Sequence, residues 1–292
     1  MEQRPFYKTF GFAVAVVLPV TAFASFTLFD NFNNDTTGNL AGQGGWVSGA
    51  PGEATVAAGT GTHGEIVNIN PTAASKPTYE TGLGISTAST VYWNFMLSSV
   101  GGGTTTSPLN WNFILTDSMA PADTAGSSQV QFNNDGTASA AGLFRVRDGG
   151  SFDLLSTTAG TTAGDYVPKA NIQYNVWFVL NPASKTYEIF IQSDGDPLLA
   201  SPTQLFADSG TSGGATTGDF AFRNAGTFTG TLNTVNIGNQ ATNPNPATVT
   251  IDDIYVDKSG KNLTNPVPEP ATVVGLVFGL GSLASFRRRR AV

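Results

Sequence analysis

Cysteine is absent from this 292-residue chain, and histidine occurs once, at His63. The first absence excludes disulfides and thiolate metal sites, and one histidine leaves a zinc site short of ligands. Charged residues make up only 12% of the chain, and the formal net charge is −7. Because nucleic-acid binding needs clustered Lys and Arg facing phosphates, this composition argues against a nucleic-acid partner.

Motifs for phosphate binding and nucleophilic catalysis are also missing. The Gly-rich runs, such as residues 101–106, contain neither a P-loop nor a helix-opening Gly-x-Gly-x-x-Gly pattern. His63 lies in a Gly-Thr-His-Gly-Glu loop, and no Gly-x-Ser-x-Gly elbow accompanies it. We therefore interpret His63 as an exposed loop residue and predict no cofactor, apart from the calcium considered below.

Paired carboxylates, which glycoside hydrolysis requires, are not evident along the chain. Four of the six glutamates lie outside the terminal segments: Glu53, Glu65, Glu80 and Glu188. None of them has an acidic residue two positions away, where a strand would place it on the same face. Hydrolysis needs two carboxyl groups roughly 5–9.5 Å apart. The sequence therefore predicts a protein that is not an enzyme.

The densest acidic group lies near the end of the body, at Asp252, Asp253 and Asp257. Adjacent strand residues point to opposite faces, so Asp252 and Asp253 are expected to diverge. Asp253 and Asp257 would share a face, but about 13 Å apart at ~3.3 Å per residue. We interpret the group as structural, either keeping an edge strand soluble or bonding a turn.

The N-terminus has the three parts of a secretory signal peptide. Arg4 and Lys8 supply positive charge, residues 11–20 are apolar, and residues 22–24 form an Ala-Phe-Ala cleavage site. We assign residues 1–24 to the signal peptide and expect cleavage before Ser25. The protein is therefore predicted to be exported.

The C-terminus places three features in a fixed order. A Pro-flanked acid at Pro268, Glu269 and Pro270 precedes an uncharged apolar run, residues 271–286. As a helix this run would span about 24 Å, slightly less than a ~30 Å hydrocarbon core. Four cations that fit a cytoplasmic stop then follow: Arg287, Arg288, Arg289 and Arg290. A buried C-terminal helix of a soluble domain is the alternative, which four consecutive arginines disfavour.

These tail residues resemble the PEP-CTERM sorting signal of Gram-negative bacteria, from Val267 through the Pro-Glu-Pro box and the apolar helix to the arginines. The resemblance implies that an exosortase, a membrane transpeptidase, is a partner. It also implies an inner-membrane tether before processing, and then delivery to the cell surface or to an exopolysaccharide matrix. The resemblance therefore implies a localisation and implies no activity.

The body between the termini alternates apolar and polar residues in the manner of β-strands. Val91, Trp93, Phe95 and Leu97 share one face of a predicted strand. Residues 174–180 and 187–191 form two further runs, and the Asn-Pro-Ala-Ser-Lys link between them predicts a hairpin. The predicted fold is an all-β antiparallel jelly-roll sandwich, with a signal helix before it and a transmembrane helix after it.

The predicted domains are residues 1–24, the signal peptide; 25–260, the β-sandwich; 261–267, a linker; and 268–292, the sorting tail. Three parts of the body resemble concanavalin A-like, laminin-G-type jelly rolls: residues 29–46, 174–196 and 249–257. In that family the usual roles are glycan binding, adhesion and, in some branches, glycoside hydrolysis.

Two kinds of binding residue are predicted from composition. Aromatic residues in or beside polar loops are candidates for stacking on sugar rings: Trp46, Trp111 and Tyr166. Acidic residues in oxygen-rich loops are candidates for calcium: Asp194, Asp196 and Asp135. Each Trp also fits a sandwich core, and Asp and Asn also build turns without a metal.

The leading hypothesis is an exported, non-enzymatic surface or matrix protein that is a candidate for polysaccharide binding. The alternative is a polysaccharide hydrolase or lyase whose carboxylates meet only in the folded structure. A purely structural matrix component without a ligand is a third hypothesis.

Overall fold

A computed structural model describes residues 26–48, 54–59, 65–69, 78–97, 110–117, 127–133, 143–159, 168–193, 195–207, 218–239 and 249–266. These ranges contain one short 3-10 helix, Pro197–Leu199, and no helix with the length and hydropathy of a membrane span. The strands, in chain order, are β1 Thr27–Asp30, β2 Gly38–Asn39, β3 Val47–Ser48, β4 Ala54–Ala58, β5 Glu65–Ile69, β6 Thr78–Ile85, β7 Ser89–Leu97, β8 Asn110–Thr116, β9 Ser127–Asn133, β10 Leu143–Asp148, β11 Ser151–Ser156, β12 Gln173–Asn181, β13 Thr186–Gln192, β14 Thr203–Gln204, β15 Phe206–Ala207, β16 Phe220–Ala221, β17 Leu232–Asn239 and β18 Val249–Asp257. The predicted signal helix and tail helix lie outside the described residues.

The strands form two antiparallel sheets, which confirms the predicted all-β sandwich. The ten-stranded sheet has the order β14-β13-β12-β7-β18-β5-β4-β2, with β1 also paired to β18 and β16 to β13. The eight-stranded sheet has the order β15-β11-β10-β9-β8-β17-β6-β3. The predicted hairpin is the pair β12 and β13, in which Asn181 lies opposite Thr186.

The inward faces of the two sheets meet in one aromatic core. Trp93 of β7 stacks on Phe113 of β8 across the sandwich, with ring centroids 4.1 Å apart and planes 3° apart. Phe95 of β7 likewise stacks on Phe144 of β10 at 6.1 Å. The predicted inward face of β7 is thus confirmed. Burial of each such side chain contributes about 1.5–3 kcal/mol relative to exposure.

Tyr187 of the ten-stranded sheet forms hydrogen bonds with the backbone of the eight-stranded sheet, where the pairing of β9 and β10 ends. The paired register of β9 and β10 ends at Val130 opposite Val146. Next to this point the hydroxyl of Tyr187, from β13, accepts from the backbone N of Gln129 and donates to the carbonyl of Arg147. Burial raises the pKa of Tyr187 well above its usual value, so the hydroxyl remains a donor. It satisfies backbone groups that the ladder leaves open.

A bulge in β18 changes which acidic residues share a face. Asp252 lies opposite Asn94, but the next paired residue is Tyr255, opposite Tyr92. Asp253 is the extra residue and has a positive φ of 54°. The prediction that Asp252 and Asp253 point to opposite faces is therefore wrong, because the bulge brings both beside Asn94, whose Nδ2 donates to Asp253 Oδ2 at 3.2 Å. β18 is also a central strand, bounded by β7 on one side and by β1 and β5 on the other.

The chain after β18 lies on the outer face of the ten-stranded sheet. We call residues 258–266 the strap. Its path crosses β7, where Thr90 Oγ1 donates to the carbonyl of Gly260 at 2.7 Å. It ends on β12, where Trp177 Nε1 donates to the carbonyl of Thr264 at 3.0 Å. Leu263 packs there against a small outer cluster of buried aromatic residues: Tyr92, Trp177 and Phe190.

Candidate functional site

Polar side chains cover the outer face of the eight-stranded sheet, on the three neighbouring strands β17, β8 and β9. Side chains on each strand alternate between the inward and outward faces, because the side-chain period of a strand is two, and the outward ones are mostly polar, with Ile114 of β8 as an apolar exception. We call six of the outward polar residues the amide face: Asn112, Thr116, Gln129, Gln131, Thr234 and Asn236. All six are buried, with at most 3% of each residue exposed.

Part of the hydrogen-bonding capacity of the amide face is unused by the protein itself. Gln129 Nε2 donates to Asn112 Oδ1 at 2.7 Å, which holds these two amides side by side. Four further atoms of the amide face find no hydrogen-bond partner within the described part of the chain: Asn112 Nδ2, Gln129 Oε1, Thr234 Oγ1 and Asn236 Oδ1. A buried polar group without a partner costs about 1–3 kcal/mol, and native proteins contain few of them. These four atoms share one face, and a ligand that reached it would have open groups to bond; unpartnered buried atoms also occur elsewhere among the described residues, at Trp93 Nε1 and Ser128 Oγ.

Half-buried aromatic and basic side chains flank the amide face. Tyr79 of β6 lies directly opposite Asn236 on one flank. On the other flank lie Arg145 and Arg147 of β10, and the Arg147 guanidinium stacks over the ring of Phe152 at 4.5 Å. Flat apolar rings beside amide donors and acceptors are the combination that recognises sugars, whose rings have apolar faces and hydroxyl edges.

Carboxylates on these strands point away from the amide face, as far as the structure describes them. Glu80 pairs with the inward Val235, and Asp153 pairs with the inward Val146. Asp148 ends β10, and its Oδ1 accepts from the backbone N of Ala221 at 2.7 Å. The polar groups described on this face and its flanks are therefore amides, hydroxyls and guanidinium groups.

A second polar group, of half-buried carboxyl residues, lies where the 30–46 segment meets β6. Asp30 Oδ2 accepts from Trp46 Nε1 at 2.6 Å, and a Cβ added at Gly45 would lie 3.2 Å from Glu80 Oε1. Burial, and then the charges of Asp30 and Asp35, raise the pKa of Glu80 from 4.5 to about 8. Glu80 is thus a proton-holding carboxyl beside two other carboxylates. We call these three residues the carboxyl junction.

Both tryptophans predicted to stack on sugars are core residues, so that part of the prediction is corrected. Trp46 is 1% exposed, and its ring lies 5.9 Å from Phe32. Trp111 is 2% exposed and lies 5.8 Å from Trp93 in the aromatic core. The register of β8 directs the Trp111 ring inward, and the bond to Asp30 holds the Trp46 ring in place. Neither ring therefore presents a face to a ligand. Tyr166 lies outside the described residues.

Of the three predicted calcium ligands, Asp196 is the one that the structure describes. Asp196 is buried, and its carboxylate lies 3.2 Å from Lys169 Nζ, so it forms an ion pair. Asp194 and Asp135 lie outside the described residues, as do His63, the Pro-Glu-Pro box and the four arginines. Within the described ranges no group of three or more His, Cys, Asp or Glu is arranged to hold a metal ion.

The sequence contained a signal for the amide face that composition alone does not reveal. Asn and Gln recur at alternate positions in two of the strands, as Asn110 and Asn112 in β8 and as Gln129 and Gln131 in β9, and Asn236 follows Thr234 at the same spacing in β17. Reading which residues alternate with the apolar ones would have found it. What the sequence could not show is that β8, β9 and β17 are neighbours, since β17 comes about 100 residues after β9.

Comparison with known proteins identifies the tail. Residues 266–290 match the PEP-CTERM protein-sorting motif, which confirms the resemblance seen in the tail residues. The match covers the tail and not the body. No curated protein matches the chain.

Several solved structures are similar to the body in chain path. A sialidase matches with 13% identity over 89% of this chain, a TM-score of 0.44, and coverage of only 21% of the sialidase. Lectin II from Ulex europaeus has 8% identity, covers 78% of this chain and 97% of the lectin, and has a TM-score of 0.46. The catalytic domain of a glycoside hydrolase family 131 protein from Coprinopsis cinerea has 12% identity, covers 80% and 95%, and has a TM-score of 0.44. No residue role is transferred from these proteins.

Proposed function

We propose that this protein is an exported surface or matrix protein, sorted by an exosortase-type enzyme, whose body binds polysaccharide through the amide face. The proposal depends most on one observation: four buried polar atoms of neighbouring strands have no partner among the described residues. Sugar hydroxyls are both donors and acceptors, so they suit a face with an open amide N–H, two open amide oxygens and an open hydroxyl.

The proposed localisation is supported by the sorting motif at residues 266–290 and by the signal-peptide pattern of residues 1–24. Export through the inner membrane, tethering by the tail and release to the surface of a Gram-negative cell belong to this proposal. A chain that ends at residue 266 tests it. We expect such a chain to be exported but lost to the medium, and normal surface retention would contradict the sorting role.

Binding without hydrolysis is supported by the side chains that the amide face presents. A glycosidase needs two carboxyl groups near the scissile bond, and the carboxylates described on these strands point inward or end a strand. Incubation of residues 25–266 with a panel of neutral β-glucans and acidic glycans tests this directly. Retention of one glycan class without new reducing ends is the expected result. No retention of any glycan would favour a purely structural matrix protein.

The carboxyl junction favours one alternative, a polysaccharide hydrolase. A glycosidase general acid needs a carboxyl that stays protonated near neutral pH, and Glu80 has a pKa raised to about 8 beside Asp30 and Asp35. If the panel releases reducing ends, Glu80→Gln should abolish the release while retention persists. Release that survives Glu80→Gln would place the activity elsewhere in the chain.

A further inference from the structure

The strap is attached to the ten-stranded sheet almost up to the start of the sorting motif. Lys261 Nζ lies 2.7 Å from Glu188 Oε2 and 4.3 Å from the centre of the Phe190 ring. Asn262 Nδ2 donates to Asp257 Oδ2 at 2.7 Å. The carbonyl of Thr264, which accepts from Trp177 Nε1, lies two residues before the matched motif begins. The segment predicted to be a linker is thus largely docked on β-strands.

Chain length limits how far the sorting tail can lie from this face. A fully extended chain spans at most ~3.6 Å per residue. The apolar run begins at Ala271, seven residues after Thr264, so its start lies within about 25 Å of the strap bond at Trp177. If residues from 261 onwards formed a flexible linker instead, the tail could lie farther from the body, and the body could rotate freely relative to the tail.

The amide face lies on the opposite side of the molecule from the strap. The strap covers the outer face of the ten-stranded sheet, and the amide face is the outer face of the eight-stranded sheet. Sheets that pack face to face lie about 10 Å apart, with the aromatic core between them. The strap and the amide face thus lie on the two opposite outer faces of the sandwich.

We propose that the strap orients the tethered protein, with the outer face of the ten-stranded sheet against the membrane surface and the amide face directed outward. This inference rests on the proposed function, since it requires the tail to be held in a membrane. The partner of this outer face, with the strap on it, is a lipid headgroup surface. The orientation gives polysaccharide access to the amide face before the tail is processed.

The absence of cysteine allows a direct test with single labels on the full chain. Gln192→Cys places a dye on the strap side, because Gln192 shares the outer face of β13 with Glu188 and Phe190. Thr81→Cys is the matched control, since the exposed Thr81 lies opposite Thr234 on the amide side. Each labelled full-length chain is reconstituted in phosphatidylglycerol–phosphatidylethanolamine vesicles that carry a headgroup quencher.

We expect the dye at position 192 to be quenched at least about twofold more than the dye at position 81. Releasing the strap with Lys261→Met, or independently with Leu263→Ser, should reduce this difference while the chain stays in the vesicles. Equal quenching at both positions in vesicle-bound chains would overturn the orientation and leave the anchoring intact. If the chains do not associate with vesicles, the anchoring proposal is wrong, and the orientation is overturned with it.

Discussion

At the scale of single residues, Glu80 has an ionisation that differs between the folded and unfolded chain. Its pKa is about 8 in the fold, against an ordinary 4.5, because burial and the charges of Asp30 and Asp35 oppose its ionisation. The folded state therefore binds this proton more tightly. The stabilisation is complete below about pH 4.5 and is lost as the pH rises through 8.

Glu80→Gln should remove this pH dependence. The neutral amide resembles the protonated carboxyl, so the variant should gain stability relative to the natural protein as the pH rises from about 5 to about 8. Urea unfolding of both proteins at several pH values measures the difference in free energy. A difference that stays constant over this range would show that Glu80 does not hold the proton.

Tyr187→Phe should destabilise the protein by about 1–3 kcal/mol, because it leaves buried backbone groups of Gln129 and Arg147 without the tyrosine hydroxyl. Chemical denaturation measures the effect. Tyr79→Phe is the control: this ring is half-buried on the surface, and its loss of a hydroxyl should cost less than about 0.5 kcal/mol. Equal effects of the two substitutions would contradict the role given to Tyr187.

Single residues also show where sequence reasoning reached its limit. Trp46 and Trp111 stand beside polar residues in the sequence, yet both are buried, whereas Tyr79 and Phe152 are the half-buried rings beside the amide face. Exposure of a ring depends on strand register and on contacts between distant segments. The residues adjacent to a tryptophan in the sequence reveal neither the strand register nor the contacts between distant segments.

At the scale of elements, the strands and the central hairpin were predictable, because period-two alternation is a local property. β7, β12 and β13 have the predicted inward faces. The bulge in β18 was not predictable, since no glycine marks it: Asp253 itself takes the positive φ. The docking of the strap was not predictable from the sequence either, because it depends on β7, β12 and β13 lying side by side.

The bulge can be tested with three substitutions at Asp253. Asp253→Asn should change stability by less than about 0.5 kcal/mol, since Asn tolerates a positive φ and keeps a polar side chain near Asn94. Asp253→Gly and Asp253→Val both lose the bond from Asn94, but only Val resists this backbone conformation. Val should therefore cost about 1–3 kcal/mol more than Gly in urea unfolding. Equal costs would mean that the positive φ is absent in solution.

At the scale of the whole molecule, the two outer sheet faces differ in what lies on them. One is covered by the strap that precedes the sorting motif. The other presents buried amides with unused bonding capacity between two flanks of half-buried rings. The tail could be understood from the sequence because its parts are contiguous. The amide face could not, because its strands come from distant parts of the chain.

The amide face makes a combined prediction for stability and binding. Replacing a buried, unpartnered amide by an apolar residue of similar size removes a desolvation cost, so Asn236→Leu should stabilise the body by up to about 1 kcal/mol. The same change removes a group that the ligand needs. Asn233→Leu is the matched control on the same strand, because Asn233 is exposed.

The most direct test of the central claim is the affinity of residues 25–266 for the best-retained glycan of the panel, compared between Asn236→Leu and Asn233→Leu. The account predicts at least a tenfold weaker affinity for the Asn236 variant, in a protein that is no less stable, and an unchanged affinity for the Asn233 variant. Unchanged affinity in a folded Asn236→Leu protein would contradict binding at the amide face.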